Sequence, residues 1–304
     1  MAKIKKIRKI IKDTYLDNSE DFLLDFFDEP EDKKTETIDS LLGKTDVPWA
    51  LRYHLSPQRH MILNWYPFES QSSLLEVGAG CGAVTGLFLD KLKKVTCNEL
   101  SPSRANVIKK RFSDKQSLDI YTGNINDMKK AATFDYVTLI GVLEYSARYS
   151  ESKDPYLELL STINNLLSKD GHLLIAIENK IGLKYISGAP EDHLGTIYSS
   201  LENYPQGHGI RTFTKSELTE MLKIAGYKKI DFYYPFPDYK LPKIVFSEDG
   251  IKSMNNLTKS TITQTVDLST KISQQFNEVA FSHLLDKEKI LSQFSNSFLV
   301  DAKK

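Results

Sequence analysis

Residues Leu74-Leu75-Glu76-Val77-Gly78-Ala79-Gly80-Cys81-Gly82-Ala83 set a short apolar run against an acidic residue and three alternate glycines, and a small-residue helix start follows. Glycine removes a Cβ where a ligand or neighbouring backbone comes close, and it tolerates the positive φ of a tight strand-to-helix turn. This is the pattern of a nucleotide-binding turn. Gly78, Gly80 and Ala83 also satisfy the G-x-G-x-x-G/A dinucleotide fingerprint, so the glycines alone leave two ligand classes open. Glu76 separates them, because a carboxylate at the strand end opposes a pyrophosphate and suits a ligand that carries positive charge.

The elements that position this turn follow in alternation. Lys94-Val95-Thr96-Cys97-Asn98 reads as a second strand ending at Glu99, roughly 20 residues beyond the turn. There a carboxylate can accept both hydroxyls of a ribose; the alternative is a cap on the helix that opens at Ser101-Pro102. Leu118–Tyr121 is a third strand. Phe134–Ile140 is a fourth, an apolar run suited to a sheet covered on both faces, and it delivers Gly141, Glu144 and Tyr145 to the carboxyl edge, where open α/β sheets bind ligands. A helix over 155–168 and the turn Lys169-Asp170-Gly171 lead to a fifth strand, His172–Ile177, which ends at Glu178-Asn179. The polar loop from Lys180 to His193 that leaves this edge is of a length that favours function. A helix ending at Ala225-Gly226, a sixth strand over Tyr227–Tyr234, a proline-broken stretch at Pro235–Pro242 and a last strand at Ser297–Asp301 complete the chain. Upstream, Ser56-Pro57 predicts a helix over 57–65.

Motif I, with Glu76, Gly78, Gly80 and Gly82, resembles the E-x-G-x-G-x-G of the class I S-adenosylmethionine (SAM) methyltransferases. The strings Ala176-Ile177-Glu178-Asn179-Lys180, Gly188-Ala189-Pro190-Glu191-Asp192-His193 and Tyr234-Pro235-x-Pro237-Asp238-Tyr239-Lys240 resemble methyltransferases that accompany bacterial surface-polysaccharide synthesis. That resemblance implies a Rossmann-like α/β fold with a seven-stranded, mostly parallel sheet and helices on both faces. It also implies SAM as cofactor, a glycan or small-molecule acceptor methylated on oxygen, and glycosyltransferases of the same pathway as partners. SAM contacts are expected at Glu76, Gly78, Gly80, Gly82, Glu99, Gly141 and the pair Asn124 and Ile125, where the family usually has Asp in place of Asn124; Asp127 is the fallback. The Asn-Leu-Pro-Tyr type motif of the rRNA adenine dimethyltransferases is missing after the fourth strand.

Methylating an alcohol needs a group that removes its proton, and histidine is the most suitable base near neutral pH. His193 is the first candidate, with Glu178 and Glu144 as substitutes; the competing reading is a surface loop histidine bonded to backbone. The competing functions are a nucleic-acid or protein methyltransferase and a non-catalytic SAM-binding subunit.

Bulk properties bound the rest. Forty basic and forty acidic residues give the 304-residue chain zero formal net charge, so no global field draws it to nucleic acid. Its two cysteines form no C-x-x-C pair and have no histidine at ligand spacing, so no metal is expected. A cytoplasmic location is expected. Ile4, Ile7, Ile10 and Ile11 share a helical face ringed by basic residues, which packs on the main domain or rests peripherally on a membrane through residues 3–12. The expected division is an N-terminal helical cap or lid over 1–70 and a SAM-binding domain over 71–304, with an insertion at about 235–295.

Overall fold

A computed structural model describes residues 4–6, 17, 19–29, 37–128, 133–207, 209–253 and 275–304. The chain divides into two compact units, Met1–Thr138 and Leu139–Lys304. The α/β class expected from the sequence is the one found. Among the described residues there are nine strands rather than seven, the additions being a short N-terminal strand and a hairpin strand inside the expected insertion.

In the first unit β1 (Ile4–Lys6), β2 (Ser73–Val77), β3 (Lys94–Glu99) and β4 (Leu118–Thr122) lie in the order β1-β4-β3-β2, all parallel. β5 (Phe134–Ile140) follows β4 in the chain and spans the boundary between the units. Leu74, Leu75, Val95, Cys97, Leu118 and Ile120 are buried, as befits parallel strands covered on both faces. The helices of this unit are α1 (Glu20–Asp28), α2 (Ile38–Leu42), α3 (Trp49–Leu55), α4 (Thr85–Lys91) and α5 (Pro102–Arg111). Ser56 caps a 3-10 turn at Pro57–Ile62, and Ser101 caps α5, each with proline at the first helical position. Leu23, Leu41, Leu51 and Leu55 gather α1, α2 and α3 into one apolar cluster with Cys81 and Val107.

The N-terminal helix is not found where it was expected. Ile4–Lys6 is a strand in register with Ile120–Thr122 of β4, because an open parallel edge offers a ladder at once, whereas a helix needs a costly nucleus. Residues 7–16 lie outside the described residues, and with them most of the basic face.

In the second unit β6 (Leu167–Glu178), β7 (Lys229–Phe236), β8 (Ile244–Ser247) and β9 (Ser297–Lys303) lie in the order β6-β9-β7-β8. Here β9 is antiparallel to both neighbours and β8 antiparallel to β7. Helix α6 (Pro155–Leu166) is capped by Asp154, α7 (Leu183–Ile186) is a single turn, α8 (Lys215–Ile224) opens with a Thr214/Glu217 capping box, and α9 (Glu248–Lys252) follows β8. Two corrections concern strands. β6 starts at Leu167, so Lys169-Asp170-Gly171 is strand rather than turn, with Lys304 N–H donating to the Gly171 carbonyl at 3.1 Å. β7 continues through Pro235 to Phe236, because pairing with β9 stops at Tyr233, and beyond that the missing proline N–H leaves no gap on that side. Residues 254–274 lie outside the described residues; within the expected insertion the described helices are α9, Glu278–Lys287 and Leu291–Phe294.

Candidate active site

The glycine turn of the first unit joins β2 to α4. Gly78, Gly80 and Gly82 all have positive φ, at 67°, 58° and 78°. Their N–H groups point inward: Gly78 donates to the Asn98 carbonyl (2.8 Å), Gly80 to Glu99 Oε2 (2.7 Å) and Gly82 to the Ala79 carbonyl (3.0 Å). A phosphate nest needs such groups free for the anion, so the turn is not built for pyrophosphate. The glycines differ in their reason. A Cβ on Gly80 would meet only His54 Cε1 at 3.9 Å, which leaves an open cradle, whereas one on Gly82 would strike the Phe112 ring at 2.8 Å. Gly82 therefore serves the packing of α5.

Two buried carboxylates flank the cradle. Glu76 Oε2 accepts from Thr85 Oγ1 at 2.6 Å, and burial pushes its carboxyl up to about 7. Glu99, at the end of β3, accepts from Gly80 N–H through Oε2 and from Ser101 N–H through Oε1 at 2.9 Å. Burial raises its pKa, and the two backbone donors oppose the shift. Each oxygen retains a lone pair, so the arrangement fits a ribose diol while also tying strand end, glycine turn and helix start together. Asn124 Oδ1 accepts from Asn126 N–H at 3.0 Å and so caps the turn at Ile125–Asp127, with Ile125 buried beside it. An open cradle of positive-φ glycines between two acidic strand ends fits SAM.

The segment before β2 lies on this turn. His60 Nε2 is 3.1 Å from the Ala83 carbonyl, and Arg111 Nη1 donates to the carbonyls of His54 (2.9 Å) and Cys81 (3.2 Å). His54 Nε2 contacts Asp17 at 2.8 Å, and Arg104 donates to Asp17 (3.0 Å) and Glu20 (2.8 Å). α1 and α3 are thus anchored through charge to the helix that follows β3.

The second unit gathers a different set. Gly141 (φ 69°) follows β5, and a Cβ there would meet the Tyr239 hydroxyl at 2.9 Å and Glu144 Oε1 at 3.7 Å. Glu144, in the turn after it, and Glu178, at the end of β6, are 1% and 0% exposed. His193 Nε2 stands 3.7 Å from Glu144 Oε1 and 3.9 Å from Glu178 Oε2, while its Nδ1 meets Glu191 Oε1 at 2.8 Å. Glu191 Oε2 accepts the N–H groups of His193 and Leu194, and the Tyr145 ring stands edge-on to the imidazole at 5.2 Å. The three candidates for proton transfer thus converge, although they come from three separate segments.

Around them lies a charged network that sequence reasoning missed. Lys184 Nζ donates to Asp192 (2.7 Å) and Asp238 (2.9 Å), and Lys240 Nζ donates to Asp192 and to Glu178 Oε1. The only signal for it was the pair of strings containing Glu191-Asp192-His193 and Asp238-Tyr239-Lys240. Asn179 holds the end of β6 by donating to the carbonyls of Gln293 and Ser295, each at 2.8 Å.

The charge state follows from this crowding. Burial pulls the His193 imidazole down, but Glu178, Glu144 and Glu191 more than reverse this and hold it well above the ordinary histidine range. Burial raises Glu178, with Lys240 and His193 opposing. Burial also acts to raise Glu191, yet its bonds from His193 bring it below its ordinary value.

Comparison with known proteins agrees with the first unit's reading. Residues 75–173 match the family model described as a methyltransferase domain. Ribosomal RNA small subunit methyltransferase A of Fusobacterium nucleatum is 22% identical over 169 residues, covering 54% of this chain and 60% of that protein. A protein of Methanococcoides burtonii named "Probable ribosomal RNA small subunit methyltransferase A" is 42% identical over 64 residues, 21% of this chain and 24% of that one. The chain thus spans less than two thirds of the length of these curated relatives. Among solved structures, a chain from the complex between the Haloferax volcanii Trm112 methyltransferase activator and a methyltransferase aligns with TM-score 0.50 and 15% identity, over 84% of this chain and 93% of that one, a likeness of fold. Over residues 75–173 the chain is thus similar to a methyltransferase domain.

Proposed function

We propose that the whole chain is a SAM-dependent O-methyltransferase acting on a hydroxyl of a glycan or glycan precursor. The observation that carries this reading is the buried Glu144–Glu178–His193 cluster with Glu191 behind it. SAM, when bound, supplies an electrophilic methyl on a sulfonium. The acceptor oxygen forms the new O–CH₃ bond, the S–CH₃ electron pair returns to sulfur, and the hydroxyl proton goes to the protein. The three carboxylates around His193 favour its protonated form, which makes it a poor base. Glu144, neither of whose oxygens has a hydrogen-bond partner, is the acceptor of choice.

The crowding of carboxylates also supports a neutral acceptor over a polyanion, since phosphates would be repelled here. Sequence similarity to the ribosomal RNA methyltransferases favours RNA as the second reading. Against it stand the neutral chain and Gly141-Val142-Leu143-Glu144 after β5. The glycosyltransferase partners suggested by the sequence belong to this proposal.

Glu144→Gln keeps shape and removes the base. It is expected to bind SAM like the parent protein and to lose ~100-fold or more in turnover, the scale of general-base catalysis. Calorimetry with SAM and release of S-adenosylhomocysteine read the two separately, and parent-like turnover in this variant contradicts the role.

A further inference from the structure

We propose that Glu144, Glu178 and His193 form a binding site for a divalent transition-metal cation. One ligand atom from each, a carboxylate oxygen, a second carboxylate oxygen and the imidazole Nε2, all lie within 4.8 Å of one another. A tetrahedral centre with ligands at about 2.0–2.1 Å spaces them by about 3.4 Å. The observed separations of 3.7 and 3.9 Å from Nε2 therefore need only small rotamer shifts to close on an ion.

The second observation is what these atoms lack. Both Glu144 oxygens and Glu178 Oε2 are buried with no hydrogen-bond partner, and an unsatisfied buried carboxylate is costly. The protein leaves them bare while satisfying their neighbours: Lys240 takes Glu178 Oε1, and Glu191 takes His193 Nδ1. The His193 proton does not meet the need, because 3.7 and 3.9 Å exceed hydrogen-bond length. Charge points the same way. Among the described residues of this network, five carboxylates (Glu144, Glu178, Glu191, Asp192 and Asp238) face two lysines, Lys184 and Lys240, so the imidazole alone is left to balance the excess. A dication at Nε2 would displace the proton and bring the network closer to balance. The carboxylate–histidine–metal arrangement, with Glu191 fixing the ring, is the usual support for a metal-bound imidazole. A mixed oxygen and nitrogen donor set suits Mn²⁺ or Zn²⁺ better than Mg²⁺. Three protein ligands leave a position for an acceptor oxygen, and the second oxygen of Glu144 remains to take its proton. That use rests on the function proposed above; occupancy of the site does not.

The full chain, stripped with chelator and dialysed separately against Mn²⁺, Zn²⁺ and Mg²⁺, is analysed for bound metal by mass spectrometry and, for Mn²⁺, by electron paramagnetic resonance. About one Mn²⁺ or Zn²⁺ per chain is expected. Glu144→Gln and His193→Ala are each expected to weaken binding 10-fold or more, with circular dichroism confirming that they fold. X-ray absorption of the Zn²⁺-loaded parent protein, which needs no variant, is expected to show oxygen and nitrogen ligands without sulfur. No stoichiometric metal, sulfur ligation, or unchanged binding in a folded variant overturns the site. So does thermal stabilisation by methylammonium with none by either metal, which would assign the cluster to an amine. Because metal content is read without methyl transfer, a protein that binds metal and transfers nothing fails the function alone.

Discussion

At the scale of single residues, Glu99 and Glu76 carry different loads although both end parallel strands. Glu99 already holds two backbone N–H groups, so Glu99→Ala removes the ribose acceptor and loosens the glycine turn together. Calorimetry is expected to show SAM binding weakened by roughly 1.5–3 kcal/mol, the worth of charge-assisted bonds, and unchanged binding would show that the ribose lies elsewhere. Glu76 is buried with a carboxyl pushed up to about 7 from an ordinary 4.5. A raised folded value means that its contribution to stability is fully present below pH 4.5 and is lost as pH rises through about 7. Glu76→Gln is therefore expected to melt higher than the parent protein at pH 8 and alike at pH 4, by scanning fluorimetry. A lower melting point at pH 8 would contradict the sign. The glycine turn and both carboxylates were legible as residue types at fixed spacing. The bond of Glu99 at the start of α5 was open as an alternative, but its bond from Gly80 N–H and the turn held by Asn124 were not legible, since those depend on turns that only the folded chain defines. The charge state of His193 was equally hidden, because it is set by Glu144 and Glu178, distant in sequence.

At the scale of elements, α1 and α3 are held by a buried charged group rather than by apolar contact alone. Burial pulls the His54 imidazole below 6.5, against its contact with Asp17, so the folded protein keeps it neutral. Burial pushes Asp17 up, but His54, Ser19 and Arg104 hold it well below the usual carboxylate range. Both depressed values have the same sign. The His54 contribution is present above about pH 6.5 and lost as pH falls from there, and that of Asp17 goes at still lower pH. Stability measured by urea unfolding is expected to drop between pH 6.5 and 5, with a shallower slope in His54→Gln; identical slopes would show that His54 titrates alike in both states. Strands β2 to β5 could be read from apolar runs and their punctuation, and β9 from its last hydrophobic stretch. β1 and β8 could not. Three residues rich in lysine carry no strand period, and pairing at an open edge decides for them; the prolines around β8 read as a break because the sequence does not tell which side of β7 is unpaired.

At the scale of the whole molecule, zero net charge and a carboxylate-rich second unit support the proposal of a neutral acceptor. A protein that makes 6–10 phosphate contacts loses about 10³–10⁵ in affinity between 50 and 200 mM salt. The acceptor KM here is expected to change less than about 2-fold over that range, and a steep salt dependence would argue for a polyanion. No helix among the described residues is long and apolar enough to cross a membrane. The most direct measurement supplies the full chain with methyl-labelled SAM and, in parallel, a hydroxyl-bearing surface-glycan fraction and small ribosomal subunits. The predicted result is S-adenosylhomocysteine released in step with a labelled methyl ether on the glycan, and none on RNA. Label appearing in RNA, or SAM bound with no S-adenosylhomocysteine formed with either acceptor, would contradict it.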